Sequence, residues 1–96
     1  LPNNGIIDWN NKARFIYNFC RSLDFPSYDP AITYLKGEKV GLRQCEETKV
    51  LSLNLPGTII FLPTGHIEVT TKDYNLKISD KKFIFKIRAL NGERFQ

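Results

Sequence analysis

Several kinds of residue and pattern are scarce or missing in this chain of 96 residues, and each absence excludes a class of protein or of site. It contains no methionine, even at position 1, which predicts that it is part of a longer protein. Its longest apolar run, residues 59–62, is far shorter than the roughly 18 residues of a membrane-spanning helix. Residues 1–5 lack the basic and apolar stretches of a signal peptide. We therefore predict a cytoplasmic protein without a membrane partner.

Cysteine and histidine are also rare. A secreted domain of this size usually carries more cysteines than Cys20 and Cys45, so we predict two free, buried thiols, with a single bridge between them as the alternative. No CxxC motif or Cys/His cluster is present, and we predict no metal site. His66 is the one candidate base, but it follows Gly65 at the start of an alternating segment, which favours a surface or turn role. We find no catalytic residue.

What the chain does contain suits one globular domain. Apolar residues make up 42%, including seven Phe, four Tyr and one Trp, which is enough for a core. The charge is uneven. Residues 1–71 hold seven Lys/Arg and seven Asp/Glu, whereas residues 72–96 hold seven Lys/Arg and three Asp/Glu, so the net charge of +4 lies in the last quarter. A concentrated basic surface attracts polyanions. The alternative is an ordinary solvated face.

One helix is predicted over residues 10–23, with Asp8 or Asn10 as its cap and Arg21 in its last turn. Apolar residues recur there at spacings of three and four, which places them on one face. These residues are Ala13, Ile16, Phe19, Cys20 and Leu23. Pro26 then prevents the helix from continuing.

The rest of the chain predicts strands separated by turns. The predicted segments are residues 31–36, 38–43, 44–53, 58–62, 66–71, 76–79 and 82–89. In the last segment Phe83, Phe85 and Ile87 alternate with other residues, so we predict that these three point into the core. The residues on the opposite face are Lys82, Ile84, Lys86 and Arg88. Short strands after one leading helix indicate a mainly β fold: a small open antiparallel barrel, OB-like and of Greek-key type, with one N-terminal helix.

An ordered series of motifs resembles the C-terminal domain of 10-formyltetrahydrofolate-dependent formyltransferases of the methionyl-tRNA formyltransferase type. The series starts with Ile7-Asp8-Trp9, followed at helical spacing by Ala13 and Arg21. It continues with Pro56-Gly57-Thr58, with Gly65 to Thr71, and with the closing stretch Leu90 to Phe95. Each motif is short, but their order and spacing agree over nearly the whole chain.

The resemblance implies a domain over residues 8–96, with residues 1–7 as the end of an interdomain linker. It gives structural roles to six residues: Asp8, Trp9, Ala13, Arg21, Pro56 and Gly57. It also implies that catalysis and 10-formyltetrahydrofolate belong to a separate N-terminal catalytic domain, with no cofactor in this one. The expected partners are that domain and initiator methionyl-tRNA.

The basic C-terminal quarter is the best candidate for contact with tRNA. Lys82, Lys86 and Arg88 share one face if residues 82–89 form a strand, and Lys77 joins them if the preceding strand pairs in a suitable register. Such a face would bind phosphates without reading sequence. Two alternatives remain: the parent enzyme formylates an amino sugar nucleotide and this domain is structural, or the chain is a generic β-barrel interaction module.

Overall fold

The computed structural model describes residues 2–96, so Leu1, the first residue of the predicted linker, lies outside the described residues. A short turn, Pro2–Gly5, has positive φ at Asn3, Asn4 and Gly5. The chain then joins the body of the domain, because the Ile7 N–H donates to the Ile32 carbonyl at 2.8 Å.

The predicted N-terminal helix is present as α1, Ala13–Ser22, but neither expected residue caps it. The carboxylate of Asp73, sixty residues later, accepts from the Ala13 N–H at 2.8 Å. Asp8 instead accepts from the Asn10 N–H at 3.0 Å, which closes a local turn before the helix. A residue distant in sequence therefore fixes the start of this helix.

The packing of α1 agrees with its predicted apolar face. Ala13, Ile16 and Cys20 are buried against the sheet. Arg21 lies in the last turn as predicted, where positive charge is favoured by the helix dipole. Its guanidinium also lies 5.3 Å from the centre of the Tyr17 ring, one turn earlier on the helix surface.

Six strands form two antiparallel sheets, which confirms a mainly β, open fold. The strands are β1 (Ala31–Leu35), β2 (Glu38–Leu42), β3 (Cys45–Leu51), β4 (Ile59–Phe61), β5 (Ile67–Val69) and β6 (Tyr74–Ile78). Strands β1 and β2 form a hairpin, and the other four lie in the order β3-β6-β5-β4. In that order β4, β5 and β6 are successive neighbours and β3 lies beside β6, which is a Greek-key arrangement.

The last predicted strand is wrong, because Lys81–Leu90 form a second helix, α2. Asp80 caps it by accepting from the Phe83 N–H at 3.2 Å, and Asn91 ends it in the left-handed conformation. Phe83 and Ile87 are buried as predicted, since a spacing of four suits a helix as well as an alternating strand. Phe85 is not: its side chain is 77% exposed.

The core lies between α1, α2 and the two sheets. Both cysteines are buried and free, as predicted. Within residues 2–96, neither helix has the length or the apolar character needed to cross a membrane.

Candidate nucleic-acid interface

Helix α2 carries a dense set of cations on its exposed side. Its exposed basic residues, which we call the basic helix surface, are Lys81, Lys82, Lys86 and Arg88. No acidic residue occurs between Lys81 and Gly92. The positive charge of the last quarter of the chain is therefore concentrated on one ten-residue element.

The helix arranges these cations differently from the predicted strand. Lys82 and Lys86 remain together because they are four residues apart. Arg88 follows Lys86 by two residues, which places it about half a turn away around the helix. Its neighbour on that side is Lys81, seven residues earlier. Phe85 lies between the two pairs of cations and is exposed.

Helix stability does not explain the cations in the first turn. Lys81 and Lys82 follow the N-cap directly, where the positive end of the helix dipole disfavours cations. The carboxylate of Asp80 offsets this effect, since it caps the helix and also accepts from the Arg43 N–H at 3.0 Å. A first turn chosen for stability alone would carry acidic residues.

Arg88 is held in place by contacts with the sheet. Its Nη2 donates to the Gly65 carbonyl at 3.1 Å, in the turn between β4 and β5. Its guanidinium lies 5.4 Å from the centre of the Phe61 ring. These two contacts orient the guanidinium while leaving most of its five N–H donors for other partners.

Lys77 is not grouped with the cations of α2. It lies in the middle of β6, directly opposite Glu46 of β3 on one side and Glu68 of β5 on the other. Residues paired in this way project from the same face of a sheet. Two carboxylates therefore offset the charge of Lys77.

Comparison with known protein families decides which family the chain belongs to. The family model described as "Formyl transferase, C-terminal domain" matches residues 2–94. This chain belongs to that family.

Two curated relatives support the assignment. The bifunctional polymyxin resistance protein ArnA of Wigglesworthia glossinidia brevipalpis is 31% identical over 101 aligned residues, which cover 97% of this chain and 15% of the relative. Methionyl-tRNA formyltransferase of Clostridium beijerinckii is 34% identical over 77 residues, which cover 80% of this chain and 24% of the relative. The chain thus spans a quarter or less of the length of these two relatives.

In this formyltransferase C-terminal domain, the motif residues at the two ends of the chain meet. Trp9 is buried, and its indole N–H donates to Thr33 Oγ1 at 2.9 Å. Its ring stacks on Phe95 with 5.2 Å between ring centres. The carbonyl of Gly57, a residue with φ of +87°, accepts from the Phe95 N–H at 2.8 Å. The neighbouring Pro56 carbonyl accepts from Arg94 Nε at 3.2 Å.

Sequence reasoning missed two residues of the candidate interface, Lys81 and Phe85. Alternation placed Phe85 in the core and left Lys81 outside the last strand. The available signals were Asp80 before this segment and Asn91-Gly92 after it, which are typical of a helix start and a helix end. Within the described residues, no three potential metal ligands are grouped, and His66 lies half-buried in the turn between β4 and β5.

Proposed function

We propose that this domain helps to hold initiator methionyl-tRNA while a separate N-terminal catalytic domain transfers a formyl group to the methionyl amine. In this proposal the formyl donor is 10-formyltetrahydrofolate, bound by the catalytic domain, and the protein acts in the cytoplasm at the start of translation. The chain described here supplies affinity for the acceptor and no catalytic group. The observation that carries the proposal is the basic helix surface, with its four exposed cations and no interspersed acid.

The physical basis is neutralisation of phosphates. Cations that contact a nucleic-acid backbone release condensed counterions, so affinity falls steeply as salt rises. Lys82 and Lys86 project from one side of α2 and Lys81 and Arg88 from the other, so the surface spans more than a single phosphate. Contacts of this kind position a nucleic acid without reading its bases.

The test is binding of this chain to initiator tRNA across a salt series. The log of the affinity should fall linearly with the log of the salt concentration. Replacing Lys82, Lys86 and Arg88 with Ala should weaken binding and reduce the slope by about 0.7–0.9 for each phosphate that the variant no longer neutralises. An unrelated tRNA tests whether the domain itself distinguishes the initiator.

A charge-matched variant provides the control. Lys36, Lys39 and Lys49 are exposed and lie outside α2, so their replacement with Ala removes the same net charge from another part of the surface. If this control weakens tRNA binding as much as the α2 variant does, binding follows net charge alone and the assignment of the interface is wrong.

The similarity to ArnA, whose alignment covers 97% of this chain, favours a second candidate function. In this second function, the domain supports a formyltransferase that acts on an amino sugar nucleotide. Titration with a nucleoside diphosphate sugar distinguishes the two functions. Sugar-nucleotide binding with no tRNA binding at low salt would favour the second. Family membership argues against the generic interaction module.

A further inference from the structure

A groove beside α2 joins the exposed aromatic ring to the cations. It lies between the outer side of α2 and the turn from β4 to β5, with a volume of about 320 Å³. This volume is at the lower end of the range for small-ligand sites, about 300–1,000 Å³. Its lining includes Gly65, His66, Lys81, Ile84, Phe85 and Arg88. The groove is thus part aromatic and part cationic, with no carboxylate in its lining.

Phe85 and His66 are the aromatic residues that line the groove. The Phe85 side chain is 77% exposed although it belongs to a helix whose other phenylalanine, Phe83, is 1% exposed. His66, in the turn between β4 and β5, is half-buried and lines the groove from that side. Half-buried Ile84 contributes apolar surface next to Phe85. A planar group entering the groove would meet an aromatic face with apolar surface beside it.

The two cations that line the groove, Lys81 and Arg88, lie before and after Phe85 along α2. Lys81 precedes Phe85 by one helical turn, and Arg88 follows it by nearly one turn on the same side. Arg88 is already oriented by Gly65 and Phe61, so little conformational freedom remains for it to lose on binding. Aromatic rings combined with basic side chains form the usual platform for single-stranded nucleic acid, where bases stack on rings and phosphates meet cations.

We propose that this groove binds one unpaired nucleotide, with its base stacked on Phe85 and its phosphate between Lys81 and Arg88. A base within a duplex has both faces covered by its neighbours, so only an unpaired end or loop can use the site. This inference rests on the proposed function, since it specifies which part of a bound RNA reaches the groove. Lys82 and Lys86, on the other side of α2, would contact the adjoining backbone.

The test compares two RNA hairpins with the same stem, one blunt and one with a four-nucleotide single-stranded 3′ end that carries 2-aminopurine. The chain should bind the second hairpin about 5- to 150-fold more tightly, which is the range that base stacking on an aromatic side chain supplies. Stacking should also quench the 2-aminopurine fluorescence. Equal affinity for the two hairpins would overturn the proposal.

Substitutions at Phe85 make the test specific. Phe85→Ala should remove most of the gain in affinity that the single-stranded end provides and abolish quenching, while Phe85→Tyr should retain both. Phe85→Leu keeps an apolar side chain without an aromatic face and should lose the quenching. Because Phe85 is exposed, all three variants should fold, which thermal unfolding checks. Quenching that survives in Phe85→Ala would place the base elsewhere.

The outcome separates this inference from the proposed function. The chain could bind tRNA and the blunt hairpin with the salt dependence expected of the basic helix surface, yet show the same affinity with and without the single-stranded end. In that case only the inferred nucleotide site is wrong. If no RNA binds at low salt, the proposed function fails and the nucleotide site fails with it.

Discussion

At the scale of single residues, the contact between Trp9 and Thr33 shows how a motif position holds the fold. Both side chains are buried, and the indole N–H donates to the Thr33 hydroxyl at 2.9 Å. A buried polar group that loses its partner is costly, whereas replacing both partners with apolar groups is nearly neutral. The two positions should therefore be coupled in their effect on stability.

We predict that Trp9→Phe lowers the free energy of unfolding by about 1–3 kcal/mol, because it shrinks a buried ring and leaves the Thr33 hydroxyl without its donor. Combining it with Thr33→Val should recover roughly 1 kcal/mol relative to the sum of the two single changes. Urea unfolding of the four proteins in this cycle measures the coupling. Strict additivity would mean that the hydrogen bond contributes nothing to stability.

At the scale of elements, α1 depends on a carboxylate from another part of the chain. Asp73 accepts from the Ala13 N–H at 2.8 Å and from the Tyr74 N–H at 2.7 Å, and Thr71 donates to it at 3.2 Å. Burial raises the pKa of Asp73, but these hydrogen bonds and nearby Lys12 lower it by more than burial raises it. The pKa of Asp73 therefore lies below the usual 3.8. Asp73 therefore joins the β5–β6 turn to the start of α1.

This geometry predicts a pH dependence. Because the pKa of Asp73 is lower in the folded state, its contribution is complete above pH 4 and is lost as the pH falls through the folded pKa. Asp73→Asn should reduce the free energy of unfolding by about 1 kcal/mol at pH 7, because a neutral amide oxygen accepts these hydrogen bonds more weakly than a carboxylate does. The difference from the parent chain should shrink as the pH is lowered from 6 to 3. The exposed Asp29→Asn variant controls for the loss of one charge. If the difference in free energy of unfolding between the parent chain and the Asp73→Asn variant did not change with pH, this role for Asp73 would be contradicted.

The two helices show how far sequence reasoning reaches at this scale. The apolar face of α1 could be predicted because Ala13, Ile16 and Cys20 recur at helical spacing. Its cap could not, since local sequence does not reveal that Asp73 folds back onto Ala13. For α2, an alternating pattern and a helical pattern both fit Phe83 and Ile87, and the capping residues at its ends decide between them.

The same ambiguity governed the prediction of the site. Basic residues in the last quarter of the chain were visible from composition alone, and three of the four predicted positions lie on α2. Their grouping depends on the type of element, because a strand aligns Lys82 with Arg88 whereas a helix separates them. The isolation of Lys77 depends on strand register, which places it between Glu46 and Glu68. Register follows from tertiary packing, and the sequence pattern left it open.

At the scale of the whole molecule, the last residues of the chain connect its separate parts. The Ile59 N–H donates to the Glu93 carbonyl at 2.7 Å, and the Gln96 N–H donates to the Tyr34 carbonyl at 2.9 Å. Residues 93–96 thus bridge the four-stranded sheet and the hairpin. Phe95 packs between Trp9 and Phe83, with ring centres 5.2 and 5.6 Å away. The closing segment therefore joins the N-terminal motif, both sheets and α2 in a single core.

Phe95 should consequently matter far more to stability than its position near the end of the chain implies. We predict that Phe95→Ala lowers the free energy of unfolding by about 3–5 kcal/mol, the usual range for a buried Phe. Phe85→Ala is the matched control, because the same change at a side chain 77% exposed rather than 4% exposed should stay within about 0.5 kcal/mol. Chemical denaturation measures both. Similar losses in the two variants would mean that the C-terminal segment does not close the core, and α2 would then lack the support that fixes the basic helix surface.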